Sequence, residues 1–164
     1  MKKFKFYNNI LGWITFLIAV SVYLLTLEPT VSLWDCGEFI ASAYKLQVGH
    51  PPGAPFFMLT ARLASLFAGN NPEKVAMMVN GMSGIASAFT VLFLFWTITH
   101  LGLKLAYLNQ ANHGYDGKPN TEQIAATLSP ATIMVVLGSG LIGALAYTFT
   151  DTFWFSAVEG EVYA

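Results

Sequence analysis

Three long stretches of this chain contain no Asp, Glu, Lys or Arg, and they constrain its fold more than any other feature. They run from Phe6 to Leu27, from Val75 to Leu103 and from Gln123 to Thr150. A hydrocarbon core about 30 Å thick needs roughly 20 apolar residues of helix to cross it, and each stretch supplies that length. Only 10% of the 164 residues are charged, against about 25% in an ordinary soluble domain. The predicted fold is therefore all-α and membrane-embedded. It has three transmembrane helices near residues 10–27, 80–103 and 131–150.

Lys2, Lys3 and Lys5 precede the first span, and the positive-inside rule keeps such a cluster in the cytoplasm. Residues 28–74 then form an outer loop and 104–129 a cytoplasmic one. Asp151, Glu159 and Glu161 emerge on the same side as Asp35 and Glu38. The first apolar run exceeds the usual 7–15 residues of a cleavable signal, and no small-residue cleavage site follows it, so a retained anchor is expected. Residues 55–68 are apolar apart from Arg62 and two hydroxyls, Thr60 and Ser65. That length suits an interfacial or re-entrant segment better than a span. A crossing there would send the two acidic groups to opposite faces. The expected location is a bacterial inner membrane or an equivalent bilayer, with the acids on the extracytoplasmic side. The chain is expected to be the N-terminal portion of a longer polytopic domain, inactive by itself.

A net charge of −1 offers no footprint for nucleic acid. One cysteine, Cys36, excludes an internal disulfide and any multi-cysteine metal cluster. Phosphate-cradling glycine loops, zinc-type His-Glu spacings and nucleophile elbows are absent. Small residues at helical spacing, Gly81, Gly84 and Ser87, then Ser139, Gly140, Gly143 and Ala144, read as helix-packing positions.

The chemistry-bearing residues gather just beyond the first span. In Leu33-Trp34-Asp35-Cys36-Gly37-Glu38-Phe39 a helix places Asp35 and Glu38 on one face. Carboxylates at a membrane edge are functional-site candidates; the competing reading makes Asp35 a helix cap and leaves Glu38 facing water. Gly49-His50-Pro51-Pro52-Gly53-Ala54-Pro55 forms a stiff turn that holds His50 against the preceding helix. His50 there either serves an anionic group or a proton, or simply bonds nearby backbone. Glu159 and Glu161 are two apart, so a helix would send them to different faces. Asp151 could cap a helix. Lys45, Arg62 and Lys74 are the outer cations, and headgroup contact is the ordinary use of each.

Leu27 to Phe39, Gly49 to Pro55 and Phe153 to Tyr163 together resemble the start of the domain-of-unknown-function 2723 family. That family includes transmembrane protein O-mannosyltransferases and is similar to polyprenyl-phosphate-dependent glycosyltransferases of the GT-C class. The resemblance covers essentially the whole chain, with three motifs in order. It implies transfer of a sugar, expected to be mannose, from a polyprenyl-phosphate carrier to Ser or Thr hydroxyls of an acceptor protein at the outer membrane face. It also implies short juxtamembrane helices in the first outer loop and an acidic motif that activates the acceptor. Where protein O-mannosyltransferases carry an adjacent Asp-Glu pair, this chain has Asp35 and Glu38, so either can be the base. His50 and Arg62 are candidates for the leaving phosphate, and Glu159 and Glu161 for substrate contacts. No cofactor and no resident metal is implied, although two close carboxylates can hold a divalent ion with water. The rival reading is a non-enzymatic membrane subunit or transporter part whose carboxylates bind ions or protons. Such groups sit at mid-bilayer, whereas these lie beyond the span ends.

Overall fold

A computed structural model describes residues 3–32, 35–51, 53–110 and 121–160. Among the described residues the secondary structure is helical, with no strand. The helices are α1 (Lys3–Leu25), α2 (Cys36–Lys45), α3 (Pro55–Ser65), α4 (Val75–Gln110), α5 (Thr121–Thr127), α6 (Pro130–Thr148) and α7 (Asp151–Val158). Short 3₁₀ turns occupy Leu66–Ala68 and Pro72–Lys74. Three helices are long and apolar enough to cross a membrane: Phe4–Leu25, Pro72–Asn109 and Pro130–Thr148. At 1.5 Å per residue, the 11 residues of α3 rise only about 17 Å, well short of a bilayer core. The fold is the all-α membrane protein with three spans that the charge-free stretches predict, and α2 and α3 are the short helices that the resemblance implies between the first two.

Helix α4 is longer than its charge-free run. It continues past Lys104 to Gln110, because residues 104–110 contain neither Gly nor Pro and are mostly good helix formers. The stretch 121–127, placed in a loop by its polarity, forms α5.

The chain divides into two compact units, residues 1–18 with 90–148, and residues 19–89 with 149–164. The first unit is built by close helix packing. Its core holds Phe4, Leu103, Ile124, Ala125, Leu128, Val136 and Leu137. A Cβ on Gly140 would stand 2.5 Å from Thr99 Cγ2 and 3.1 Å from the Phe95 ring, so α6 approaches α4 as closely as a bare backbone allows.

The second unit is built around broken helix ends. Its apolar core joins Ile40 and Ala43 of α2, Ala61 of α3, Ala68 of the 3₁₀ turn after it, and Val75, Ala76 and Val79 at the start of α4. After α1 the chain is irregular, and protein groups take up its backbone. Glu28 N donates to Val158 O at 3.2 Å, and Asn80 Nδ2 donates to Glu28 O and Thr30 O at 2.8 and 3.0 Å. The Glu28 carboxylate accepts from both the N–H and the hydroxyl of Thr30. Trp154 of α7 donates its Nε1–H to Thr26 Oγ1 at 3.0 Å. The segment after the third span is thus bonded to the segment after the first.

Candidate functional site

Helix α2 begins at Cys36, with Asp35 in the N-cap position. The Asp35 side chain makes no capping bond, so the capping role is not what holds it there. Its carboxylate stays 60% exposed. Glu38 lies in the first turn of α2 and Lys45 in the last, the signs that a helix dipole favours at each end. The helix stops at Leu46, a left-handed residue (φ 54°). Leu46 N donates to Ala43 O and Gln47 N to Ser42 O, the paired bonds of a Schellman ending. This reversal sends the chain back along α2. The turn closed by Gly53 N donating to His50 O at 2.8 Å, with Gly53 at φ 67°, then brings His50 onto Glu38.

His50 grips Glu38 twice. Its backbone N–H donates to Oε1 at 2.7 Å and its ring Nδ1 lies 3.0 Å from Oε2. An ionised carboxylate only accepts, so Nδ1 carries the proton and Nε2 turns outward. Nε2 lies 3.8 Å from Asp35 Oδ2. The backbone bond first, and the ring bond second, hold the Glu38 carboxyl below its ordinary value of 4.5, against a smaller opposing effect of burial. The His50 ring also packs 5.8 Å from the Phe39 ring. The two acids therefore differ: Glu38 is engaged on both oxygens, while Asp35 faces water beside an imidazole. One ligand atom from each of Asp35, Glu38 and His50 falls within 4.8 Å of the others. With Glu38 engaged by His50, a divalent ion there would draw chiefly on Asp35 and His50 Nε2, the arrangement in which a carboxylate orients a metal-binding histidine.

Glu159 takes a different position. It ends α7 in extended conformation (φ −121°, ψ 161°) and is buried, 8% exposed. Its Oε2 lies 3.7 Å from the buried thiol of Cys36. Cys36 opens α2, where the backbone dipole favours an anion. Glu159 therefore packs against the first residue of α2, next in the chain to Asp35. Glu161 lies outside the described residues. Asp151 falls in the first turn of α7, and Thr150 takes the capping position.

Arg62 is engaged away from the acids. Its Nη1 donates to Tyr44 O at 2.8 Å, and the guanidinium lies 5.5 Å from the centre of the Tyr44 ring. Tyr44 is six residues beyond Glu38 on α2, about 9 Å along the axis. The described contacts of Arg62 fasten α3 to the C-terminal turn of α2. Asn80, by contrast, was not singled out by the sequence, yet it is 1% exposed and bonded to two loop carbonyls. The available signal was an amide at the margin of an apolar span, where polar groups are costly.

The family model described as the protein O-mannosyl-transferase TMEM260 N-terminal domain matches residues 35–164. A Dictyostelium discoideum relative, "Protein O-mannosyl-transferase tmem260", is 26% identical over 149 residues, covering 91% of this chain and 14% of the relative. The Mus musculus "Protein O-mannosyl-transferase TMEM260" is 38% identical over 87 residues, covering 52% of this chain and 12% of the relative. The chain thus spans about a seventh of the length of these relatives. No solved structure matches it.

Proposed function

The chain belongs to the family of the protein O-mannosyl-transferase TMEM260 N-terminal domain, and on that premise we propose that it supplies the acceptor-activating corner of a membrane mannosyltransferase. The donor is a polyprenyl-phosphate mannose and the acceptor a protein Ser or Thr hydroxyl, meeting at the extracytoplasmic face. The N-terminal lysines stay in the cytoplasm. Asp35 and Glu38 are the catalytic pair, and the observation that carries their assignment is the double bond of His50 to Glu38. It leaves Asp35 as the acid with open oxygen atoms.

In this reading the acceptor hydroxyl gives its proton to Asp35 as its oxygen attacks the anomeric carbon. The bond from that carbon to the phosphate oxygen breaks, and the lipid phosphate leaves with the electron pair. General-base assistance of this kind contributes about 10²–10⁴ in rate. Glu38 acts through His50, fixing the ring so that Nε2 faces Asp35. His50 is assigned to the departing phosphate, which it can serve as a donor when Nε2 as well as Nδ1 carries a proton. Arg62, held by Tyr44, retains further N–H groups for a headgroup or the lipid phosphate. Glu159 braces the start of α2, and Glu161 is assigned with it to substrate contact. A lipid-borne donor suits a site at the bilayer edge, where the prenyl tail stays in hydrocarbon while the sugar meets water-borne acceptors.

The test is Asp35→Asn in the full-length protein, assayed with polyprenyl-phosphate mannose and a Ser/Thr acceptor peptide. A fall in kcat of about 10²–10⁴ is expected, with normal membrane insertion. Transfer at near wild-type rate by an inserted variant removes Asp35 as the base. Transfer that follows a nucleotide sugar and ignores the lipid donor overturns the donor assignment.

A further inference from the structure

We propose that Asn80 is a positioning residue for the acidic corner, setting where the chain leaves α1 and where it leaves α7. The inference rests on the transferase reading above. Asn80 lies near the start of α4 and is 1% exposed. A buried amide costs free energy unless it is hydrogen-bonded, and this one spends both N–H groups on neighbouring loop carbonyls. Glu28 O and Thr30 O accept from Nδ2. These carbonyls follow the last helical bond of α1, Thr26 N to Val22 O, so no helical ladder is left to satisfy them. Asn80 supplies a donor to each of them.

The other side of the amide meets the second segment. A Cβ on Gly160 would stand 3.0 Å from Asn80 Oδ1 and 3.3 Å from Ile40 of α2. No described donor reaches Oδ1, so its hold on Gly160 is one of contact. Between these two sides runs the direct bond from Glu28 N to Val158 O. The segment that leaves α1 and Gly160 after α7 therefore meet on one side chain, and Gly160 in turn lies against Ile40 of α2. Through these contacts Asn80 is placed to set the backbone positions on which the acidic corner is built. Asn80 contacts neither the carboxylate of Asp35 nor the imidazole of His50 in any described bond, so its effect on the reaction passes through backbone placement.

The experiment uses the full-length protein in membranes with polyprenyl-phosphate mannose and a Ser/Thr peptide. Asn80→Leu keeps the branching and removes both donors. A displacement of about 1 Å at a reacting group can cost 10²-fold, so kcat is expected to fall about 10–100-fold while KM for the peptide changes less than about threefold. A kcat within about twofold of wild type in the inserted variant overturns the proposal, as does a loss carried entirely by KM. Should Asn80→Leu fail to insert, Gly160→Ala crowds the same amide from the opposite side. It is expected to lower kcat about fivefold or more, and more weakly in an Asn80→Ser background that relieves the crowding; an unchanged kcat overturns the proposal. The outcome separates from that of Asp35→Asn. An active Asp35→Asn with a slow Asn80→Leu discards the base and keeps the positioning, and the converse keeps the base alone.

Discussion

The two compact units solve the same problem, satisfying helices in an apolar setting, by opposite means. In the unit of residues 1–18 and 90–148, α6 meets α4 through Gly140 against Phe95 and Thr99, and shape carries the packing. In the unit of residues 19–89 and 149–164, polar side chains reach backbone: Asn80 to the carbonyls of Glu28 and Thr30, Arg62 to that of Tyr44, and the Glu38 carboxylate to the N–H of His50. The difference teaches where chemistry can be built. Irregular backbone in a membrane protein survives only where protein supplies its hydrogen bonds, and the unit that supplies them is the one that displays the acids.

The contrast breaks most visibly in the packing unit. Gly140→Val drives a β-branched side chain into Thr99 and Phe95, and overpacking of this kind costs about 1–3 kcal/mol, occasionally more. Thermal aggregation of the detergent-solubilised full-length protein is expected to begin at lower temperature, with kcat per folded molecule unchanged. A parallel loss of kcat would show that the two units do not divide shape from chemistry.

Glu38→Gln sharpens the contrast from the chemical side. The substitution keeps the shape but offers an N–H where Nδ1 now has its acceptor, so the neutral ring must move its proton to Nε2, toward Asp35. A fall in kcat of about tenfold is expected, at the low end of what acid–base groups contribute, with little change in KM. The pH dependence has a definite sign. The Glu38 carboxyl is held below 4.5 by His50. Whatever this lock adds to stability is present above that ordinary value and is lost as pH falls through the lowered one. Titration of the wild-type protein should protonate Glu38 only below pH 4.5, seen as a shift of its carboxyl carbon resonance, whereas protonation beginning above that value would contradict the assignment. The smallest effect is expected at Trp154→Phe, which removes the bond to Thr26 at a cost of about 0.5–1.5 kcal/mol, read as a modest fall in thermal midpoint.

Much of this was legible in the sequence. Charge-free stretches mark the spans because ions are excluded from hydrocarbon whatever the tertiary fold. The His50 turn is legible for a local reason: prolines and glycines restrict the backbone without help from distant residues. The Cys36–Glu159 contact joins residues 123 positions apart, and no local pattern encodes it. Asn80 escaped because an uncharged amide does not interrupt a run defined by charge. Helix α5 escaped because polarity alone was read as loop, although Thr121–Thr127 contains neither Gly nor Pro. Asp35 was legible as an acid near a helix start, but whether its side chain capped that helix depended on where the oxygen atoms pointed.

The stretch from Glu28 to Thr30 is tied to the protein through Glu28 N, bonded to Val158 O, and through the Glu28 and Thr30 carbonyls, which accept from Asn80. Such a segment can sink among lipid headgroups or rise above them without rearranging. In bilayers of graded acyl-chain length the corner should keep its form, while its depth shifts with membrane thickness.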